Sequence, residues 1–221
     1  MRTLNQLNLR EQAKEVIRAS IVGGELVPGN VYSATTLSLR LGVSATPVRE
    51  AMLDLANDGL VEPVRNRGFR ILTVADDDLD EITELRKMLE VPAVRLVVAK
   101  ATDADLDSLE ASVVSIERAA ARNDLARFLS EDRSFHLSML SLSGNGRLVR
   151  LVGQLRDQTR LTGLRRLADS GMLAESAAEH RVILDALRAR NARRAETLVR
   201  HHLDHTRGAW AGRAETDPSV R

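Results

Sequence analysis

The stretch "LVPGNVYSATTLSLRLGVSATPVREAMLDLANDGLVEPVRNRGFRI", residues 26–71, decides the fold of the N-terminal part. Within it, "ATTLSLRLG" (34–42) reads as a short helix stopped by Gly42. "SATPVREAMLDLANDG" (44–59) reads as a second helix with Ser44 at its N-cap. Pro47 fixes where that helix starts, because proline fits a helix only in its first turn. "LVEPVRNRGFRIL" (60–72) then alternates with period two, turns at "NRG" and returns, which predicts a β-hairpin. Upstream, "LREQAKEVIRASIVGG" (9–24) spaces its apolar residues as a helix and ends at Gly23-Gly24, while "ELVPGNVY" (25–32) is a turn-bearing connector. Helix, short helix, Gly-containing turn, helix and hairpin is the order of a winged helix-turn-helix. A plain three-helix domain with a decorative hairpin is the rival, and arginines at both places where a winged helix meets DNA weigh against it.

Beyond residue 76 the pattern changes to long helices with short breaks: 77–100, 103–122, 124–142, 146–166, 171–190 and 192–213. Gly144, Asn145, Gly146 and Asn191 supply breaks or caps, and Pro92 is expected to kink or split the first of these helices. Six helices joined by few residues predict an antiparallel bundle. The expected fold is mainly α: a winged helix-turn-helix over residues 1–73, an all-α domain for effector binding and dimerisation over 74–214, and a loose tail at 215–221.

Bulk properties agree with that division. Of 221 residues, 43% are hydrophobic but only 2% aromatic, so Ala, Leu and Val must make the packing, which favours helices over a sandwich. The chain has no cysteine, hence no disulfide framework and no thiolate site. The N-terminus lacks the apolar run of a signal peptide and no stretch approaches the roughly 18 apolar residues of a membrane span, so a cytoplasmic protein is expected. The net charge is +1; residues 1–73 hold nine Arg/Lys and seven Asp/Glu, giving +2 there and −1 in the remainder. A DNA-binding reading therefore rests on where the arginines stand, not on their number.

"FLSEDRSFHLSML" (128–140) contains an anomaly. At 100° per residue, Asp132 and His136 share a face with Leu125, Leu129 and Leu140. His180 falls with Leu173, Ala177, Leu184 and Leu187, and His202 with Ala195, Leu198, Val199, Thr206 and Ala209. His201 and His205 are rotated to the margin of that last stripe. Three imidazoles and a carboxylate aimed into a core would cost several kcal/mol unpaired. A shared divalent cation satisfies them: zinc foremost, with nickel, manganese and iron as alternatives. The other solution is an Asp132–His136 pair with water-bonded histidines. Arg86 presents a second anomaly, sharing a face with Ile82, Leu89, Ala93 and Leu96. It needs an anion, supplied either by Glu90 four residues on or by a ligand. Thr159 and Thr162 lie on the apolar stripe of Leu148, Val152 and Leu155 and are candidate lining of the same cavity.

The N-terminal residues resemble the winged-helix domain of the GntR family of bacterial transcription regulators through "VPG", "LGVS", "PVREAM", "NDGLV" and "NRGF", in order and at the expected spacing. The second half resembles the FCD effector domain of the FadR subfamily in "EITELRKMLEVPAVRLVVAKAT", "DRSFHLSMLSLSGN" and "EHRVILDAL", and six helices suggest its VanR-like branch. The resemblance covers almost the whole chain. It implies a homodimer on a palindromic operator, usually a repressor, whose DNA affinity is altered by a small organic acid bound beside a divalent metal. It places the metal on Asp132, His136, His180 and His202, and effector carboxylate recognition on Arg86.

The DNA-facing candidates are Ser44, Thr46 and Arg49 at the start of the second helix of the pair, and Arg65, Arg67 and Gly68 at the hairpin turn. The alternative for Arg49 is a salt bridge with Glu50 or Asp54; Arg70 is as readily structural as DNA-facing. One departure stands out: Ala45 occupies a position where the family commonly has a basic residue that contacts DNA. Arg49 is thereby left as the only arginine in the first turns of that helix. Two other functions fit a metal centre. A metal-sensing regulator would use the ion itself as the signal. A metal-dependent hydrolase would use it to activate water, but no HExxH-type pairing is present and a DNA-binding module is attached. The sequence therefore predicts a regulator, not an enzyme.

Overall fold

The computed structural model describes residues 4–161 and 173–211. Among them the chain forms α1 (Leu4–Val22), β1 (Val31–Tyr32), α2 (Ala34–Leu41), α3 (Ala45–Asn57), β2 (Val61–Val64), β3 (Gly68–Ile71), α4 (Asp76–Lys100), α5 (Asp103–Ala121), α6 (Leu125–Ser141), α7 (Gly146–Thr159), α8 (Leu173–Arg188) and α9 (Ala192–Ala211). Two compact units result, one of the residues up to Val74 together with Arg160 and Leu161, the other of the remaining described residues from Ala75 on. Thr162 and the 215–221 tail lie outside the described residues.

In the first unit, Ala13, Ile17 and Ile21 of α1 pack with Leu37 of α2, with Val48, Ala51, Met52 and Leu55 of α3, and with Leu60, Val61, Phe69 and Ile71 from the sheet. Ion pairs of Arg10 with Asp54 and of Lys14 with Asp58 fasten α1 to α3. Ser33 caps α2 by accepting from Thr36 N. Gly42 ends that helix at φ +67, a left-handed conformation open to glycine at little cost, and donates back to Ser38 O. The hairpin β2–β3 pairs Val61 with Ile71 and Val64 with Gly68. Sequence periodicity misses β1, which joins as a third antiparallel strand with Val31 opposite Arg70. The sheet order is β1-β3-β2, so Pro63, which lacks an N–H, sits on an edge strand where no further partner needs it.

The second unit is a bundle in which α4 packs on α9, α7 and α6, α5 on α6 and α8, and α8 on α9. Each break has its own device. Thr102 and Asp105 form a capping box at the start of α5, and Asp124 Oδ1 accepts from Arg127 N at the start of α6. Asn145 accepts from Arg147 N and Leu148 N, and Asn191 from Arg194 N. Of the two outcomes expected at Pro92, a split does not occur: α4 is one helix of 25 residues with Pro92 inside it. Pro92 lies on the exposed side, where the carbonyl that loses its helical partner can turn to water. The buried face of α4 also differs from the one expected. Leu96 is 48% exposed and Leu89 half-buried, and the core side is carried by Leu79, Ile82, Thr83, Arg86, Glu90, Val91, Ala93, Val94 and Val97.

Candidate metal centre and DNA-facing surface

Asp132 and His136 stand one turn apart on α6, and α8 and α9 bring His180 and His202 against them. All four residues are buried, and one ligand-type atom from each lies within 4.8 Å of every other. His136 Nε2 is 3.1 Å from both His180 Nε2 and His202 Nε2. Asp132 Oδ1 is 3.0 Å from His180 Nε2 and 3.6 Å from His136 Nε2. Four donors around one first-row ion at about 2.1 Å stand roughly 3.0 Å apart along an octahedral edge and roughly 3.4 Å along a tetrahedral one.

The protons make the stronger case. His180 Nδ1 donates to the Ser176 carbonyl at 2.7 Å, and His202 Nδ1 to Glu179 Oε2 at 2.7 Å. A carbonyl and a carboxylate only accept, so in the neutral ring each Nε2 presents a lone pair inward. Those two lone pairs face His136 Nε2 and Asp132 Oδ1; the single proton that His136 Nε2 can present serves only one of them, whereas a cation among the four serves all. Protonation is a poor substitute. Burial, and then the charge of Arg156, hold the His136 imidazole well below its ordinary value, and burial lowers His202 despite the opposing hydrogen bond to Glu179. The residues therefore fit a divalent ion, with outer partners that fix ring tautomer and orientation. Phe135, fully buried, sets its ring edgewise to His136 and His180, at centroid distances of 5.3 and 5.1 Å.

A buried ionic chain adjoins this cluster. Arg86 Nε donates to Glu90 Oε1 at 2.7 Å, so an internal anion is present for it. Glu90 Oε2 lies 3.5 Å from Arg156 Nη1, and Arg156 Nη2 donates to Asp132 Oδ2 at 2.6 Å. Burial, reinforced by Arg156, pulls the Arg86 guanidinium below its ordinary value, against the opposing charge of Glu90. Thr159, also buried, donates its hydroxyl to the Arg156 carbonyl. Sequence reasoning misses three members of this assembly: Arg156, Glu90 as more than a rival partner, and Glu179. His205 is a correction. Its spacing puts it at the margin, yet it is buried and its Nδ1 donates at 2.6 Å to Glu179 Oε1, whereas the His201 side chain is 58% exposed.

In the first unit, Ser44 is the N-cap of α3 with extended backbone and makes no side-chain cap bond. Thr46 and Arg49 are exposed beside it, with Ala45 as the first helical residue. Asp54 is engaged by Arg10, and among the described residues Arg49 makes no ion pair. Arg65 and Arg67 are exposed on either side of Asn66, which adopts φ +57 at the turn tip. Gly68 has φ +129, and a Cβ there would lie 2.3 Å from the Tyr32 carbonyl oxygen, so the wing packs onto β1 only with glycine at this position. Arg70 is bound to Glu62 at 2.6 Å.

Comparison with known proteins agrees with both units. Residues 9–71 match the model for bacterial regulatory proteins of the gntR family, and residues 81–205 match the FCD domain. A probable D-xylose utilization operon transcriptional repressor from Paenarthrobacter nicotinovorans is 30% identical over 90% of this chain and 88% of its own. The regulator McbR of Escherichia coli K12 is 28% identical over 85% of this chain and 86% of its own. A solved structure of E. coli McbR/YncC superposes with a TM-score of 0.85, at 26% identity, covering 92% of this chain and 97% of that one. These relatives and domains belong to transcription regulators, not enzymes. No described helix is long and apolar enough to cross a membrane. The chain belongs to the gntR family of DNA-binding transcription regulators, and its FCD effector domain is consistent with the FadR subfamily and the VanR-like branch.

Proposed function

We propose that this regulator acts as a cytoplasmic homodimeric repressor whose operator affinity is set by a small carboxylate bound beside a divalent metal in the helical unit. The observation that carries the reading is the buried convergence of the Asp132 carboxylate with the imidazole nitrogens of His136, His180 and His202, next to two buried arginines. Asp132, His136, His180 and His202 would hold the ion, zinc foremost, and the ion would supply a Lewis-acidic position for a carboxylate oxygen. Arg86 is the proposed effector anchor. Arg156, whose Nε and Nη1 have no hydrogen-bond partner although buried, adds donors on the same side. Thr159 is a proposed lining residue, as is Thr162, which lies outside the described residues.

At the other unit, Arg49 would reach a guanine edge or a phosphate, and Ser44 and Thr46 would bind phosphate at the start of α3. Arg65 and Arg67, beside Gly68, would carry the wing's phosphate contacts. Two copies would engage half-sites about one helical turn apart. The carboxylate changes DNA affinity only by binding the two arrangements of the dimer unequally.

One observation favours a second reading, metal sensing by the ion alone. Arg86 and Asp132 already have internal partners in Glu90 and Arg156. The test selects operators from a random duplex library with the purified chain, then measures their affinity with zinc, with chelator, and with zinc plus a panel of small carboxylates. A carboxylate-dependent change that needs zinc supports the proposal. A large zinc effect with no carboxylate response supports the sensor.

A further inference from the structure

The outer face of α3 is mostly carbon. Pro47, Val48, Ala51, Met52 and Leu55 are buried in the first unit, whereas Ala45, Thr46 and Arg49 are exposed and Leu53 is 47% exposed. At 100° per residue the latter four lie within an arc of about 100° over the first three turns. Arg49 is the one charge on that arc and the Thr46 hydroxyl its one neutral donor, while Ala45 and Leu53 offer only methyl and methylene groups.

Where such a helix enters the major groove, its N-terminal residues meet the base edges. Ala45 is the first helical residue, directly after the N-cap Ser44. Leu53 lies about 12 Å farther along the axis, so Ala45 is the apolar group that reaches the bases. A one-carbon side chain touches a base only where the backbone itself stands close. The start of α3 permits that approach: Ser44 makes no side-chain cap bond, and its hydroxyl and the first backbone N–H groups are left for a phosphate that draws this end of the helix in. A methyl group neither donates nor accepts a hydrogen bond. Every base edge in the major groove shows donors or acceptors, and only thymine adds an apolar group, its C5-methyl. Against any other base, Ala45 would cover a polar edge and gain nothing for it.

We infer that Ala45 determines specificity, its methyl packing on the C5-methyl of one thymine in each operator half-site. The inference rests on the DNA-binding reading of α3 above, and it could fail while that reading stands.

Operators selected by the full-length chain from a random duplex library supply the test. Each thymine of the half-site would be replaced in turn by deoxyuridine, which removes the C5-methyl and keeps the hydrogen-bonding groups. Affinities would be measured by mobility shift for the parent and for Ala45→Gly, which removes the protein's methyl from an exposed position. At one thymine the replacement should weaken parent binding about fourfold per half-site, the worth of one methyl returned to water. The same replacement should leave Ala45→Gly unaffected. Such coupling marks a direct contact, because a change in DNA stiffness would act on both proteins alike. Uracil effects that are absent, or equal in the two proteins at every thymine, overturn the inference and leave the DNA-binding reading intact. Failure to select any operator overturns that reading and the inference with it.

A second selection, with Ala45→Arg, covers the case in which the glycine variant fails to fold. A guanidinium pairs with guanine O6 and N7, so guanine should replace thymine at or next to that base pair. A selected sequence identical to the parent's would show that position 45 faces no base.

Discussion

Arg49 shows what a single residue can carry. It is exposed and unpaired by ions among the described residues, so removing it disturbs no core. Arg49→Ala should leave thermal unfolding within about 0.5 kcal/mol of the parent, as surface changes do. It should weaken operator binding about 10- to 100-fold, the worth of one good bidentate contact. Unchanged binding in a mobility-shift titration would remove its assigned role. Glu179 makes the opposite point. Its carboxyl is held below the ordinary carboxylate value: burial pushes it up, but the hydrogen bonds from His202 and His205 outweigh that. Glu179→Gln should lower zinc affinity about 10- to 100-fold in a chelator competition, the usual cost of losing an outer hydrogen bond to a ligand. Retained affinity would show that Glu179 only packs. Periodicity can place Asp132, His136, His180 and His202 on inward faces because each sits in a run of Leu, Ile or Val. It cannot find Glu179 or Arg156. Each stands next to a core residue, 100° off the stripe, and only the neighbouring helix decides whether such a side chain turns in or out.

At the scale of elements, the wing and α4 illustrate which signals survive in a sequence. The hairpin is legible because alternation, a turn tripeptide and Gly68 coincide. Strand β1 is not, since two residues after Pro28 and Gly29 carry no period, and it exists only because β3 offers it an edge. For a related reason Pro92 does not split its helix. Proline inside a helix removes one helical hydrogen bond, but packing of α4 on α9, α7 and α6 holds the helix on both sides of it. The wing tip permits a clean measurement. Arg65 and Arg67 are exposed and sit beside the turn rather than in the pairing register, so replacing both with alanine should leave the fold intact. Operator affinity should fall, and the slope of log affinity against log salt should shrink by about 2, one for each phosphate no longer neutralised. An unchanged slope would show that the wing does not meet the backbone, and Arg49 with the cap of α3 would have to bind the phosphates instead.

For the whole molecule, the question is whether the ion belongs to the folded state or only visits it. The buried cluster joins α6, α8 and α9, and its ionic chain reaches α4 and α7, so every described helix of that unit except α5 converges on it. Without a cation, the inward nitrogens of His180 and His202 and the Asp132 carboxylate share at most the one proton of His136 Nε2. With one, the same groups become ligands. Binding to the folded state alone stabilises it by about 2.7 kcal/mol when the free ion stands at about 100 times its dissociation constant. Zinc should therefore raise the midpoint of thermal unfolding of the full chain by several degrees, and chelator should reverse the shift. His180→Ala isolates the cause. It removes one ligand and the partner of Asp132 Oδ1, so zinc should no longer raise the midpoint, and elemental analysis should find the metal content reduced. A zinc response of full size in His180→Ala would place the ion elsewhere. If neither protein responded, the cluster would be held by protons and water, and the carboxylate would have to be sought with Arg86 and Arg156 alone.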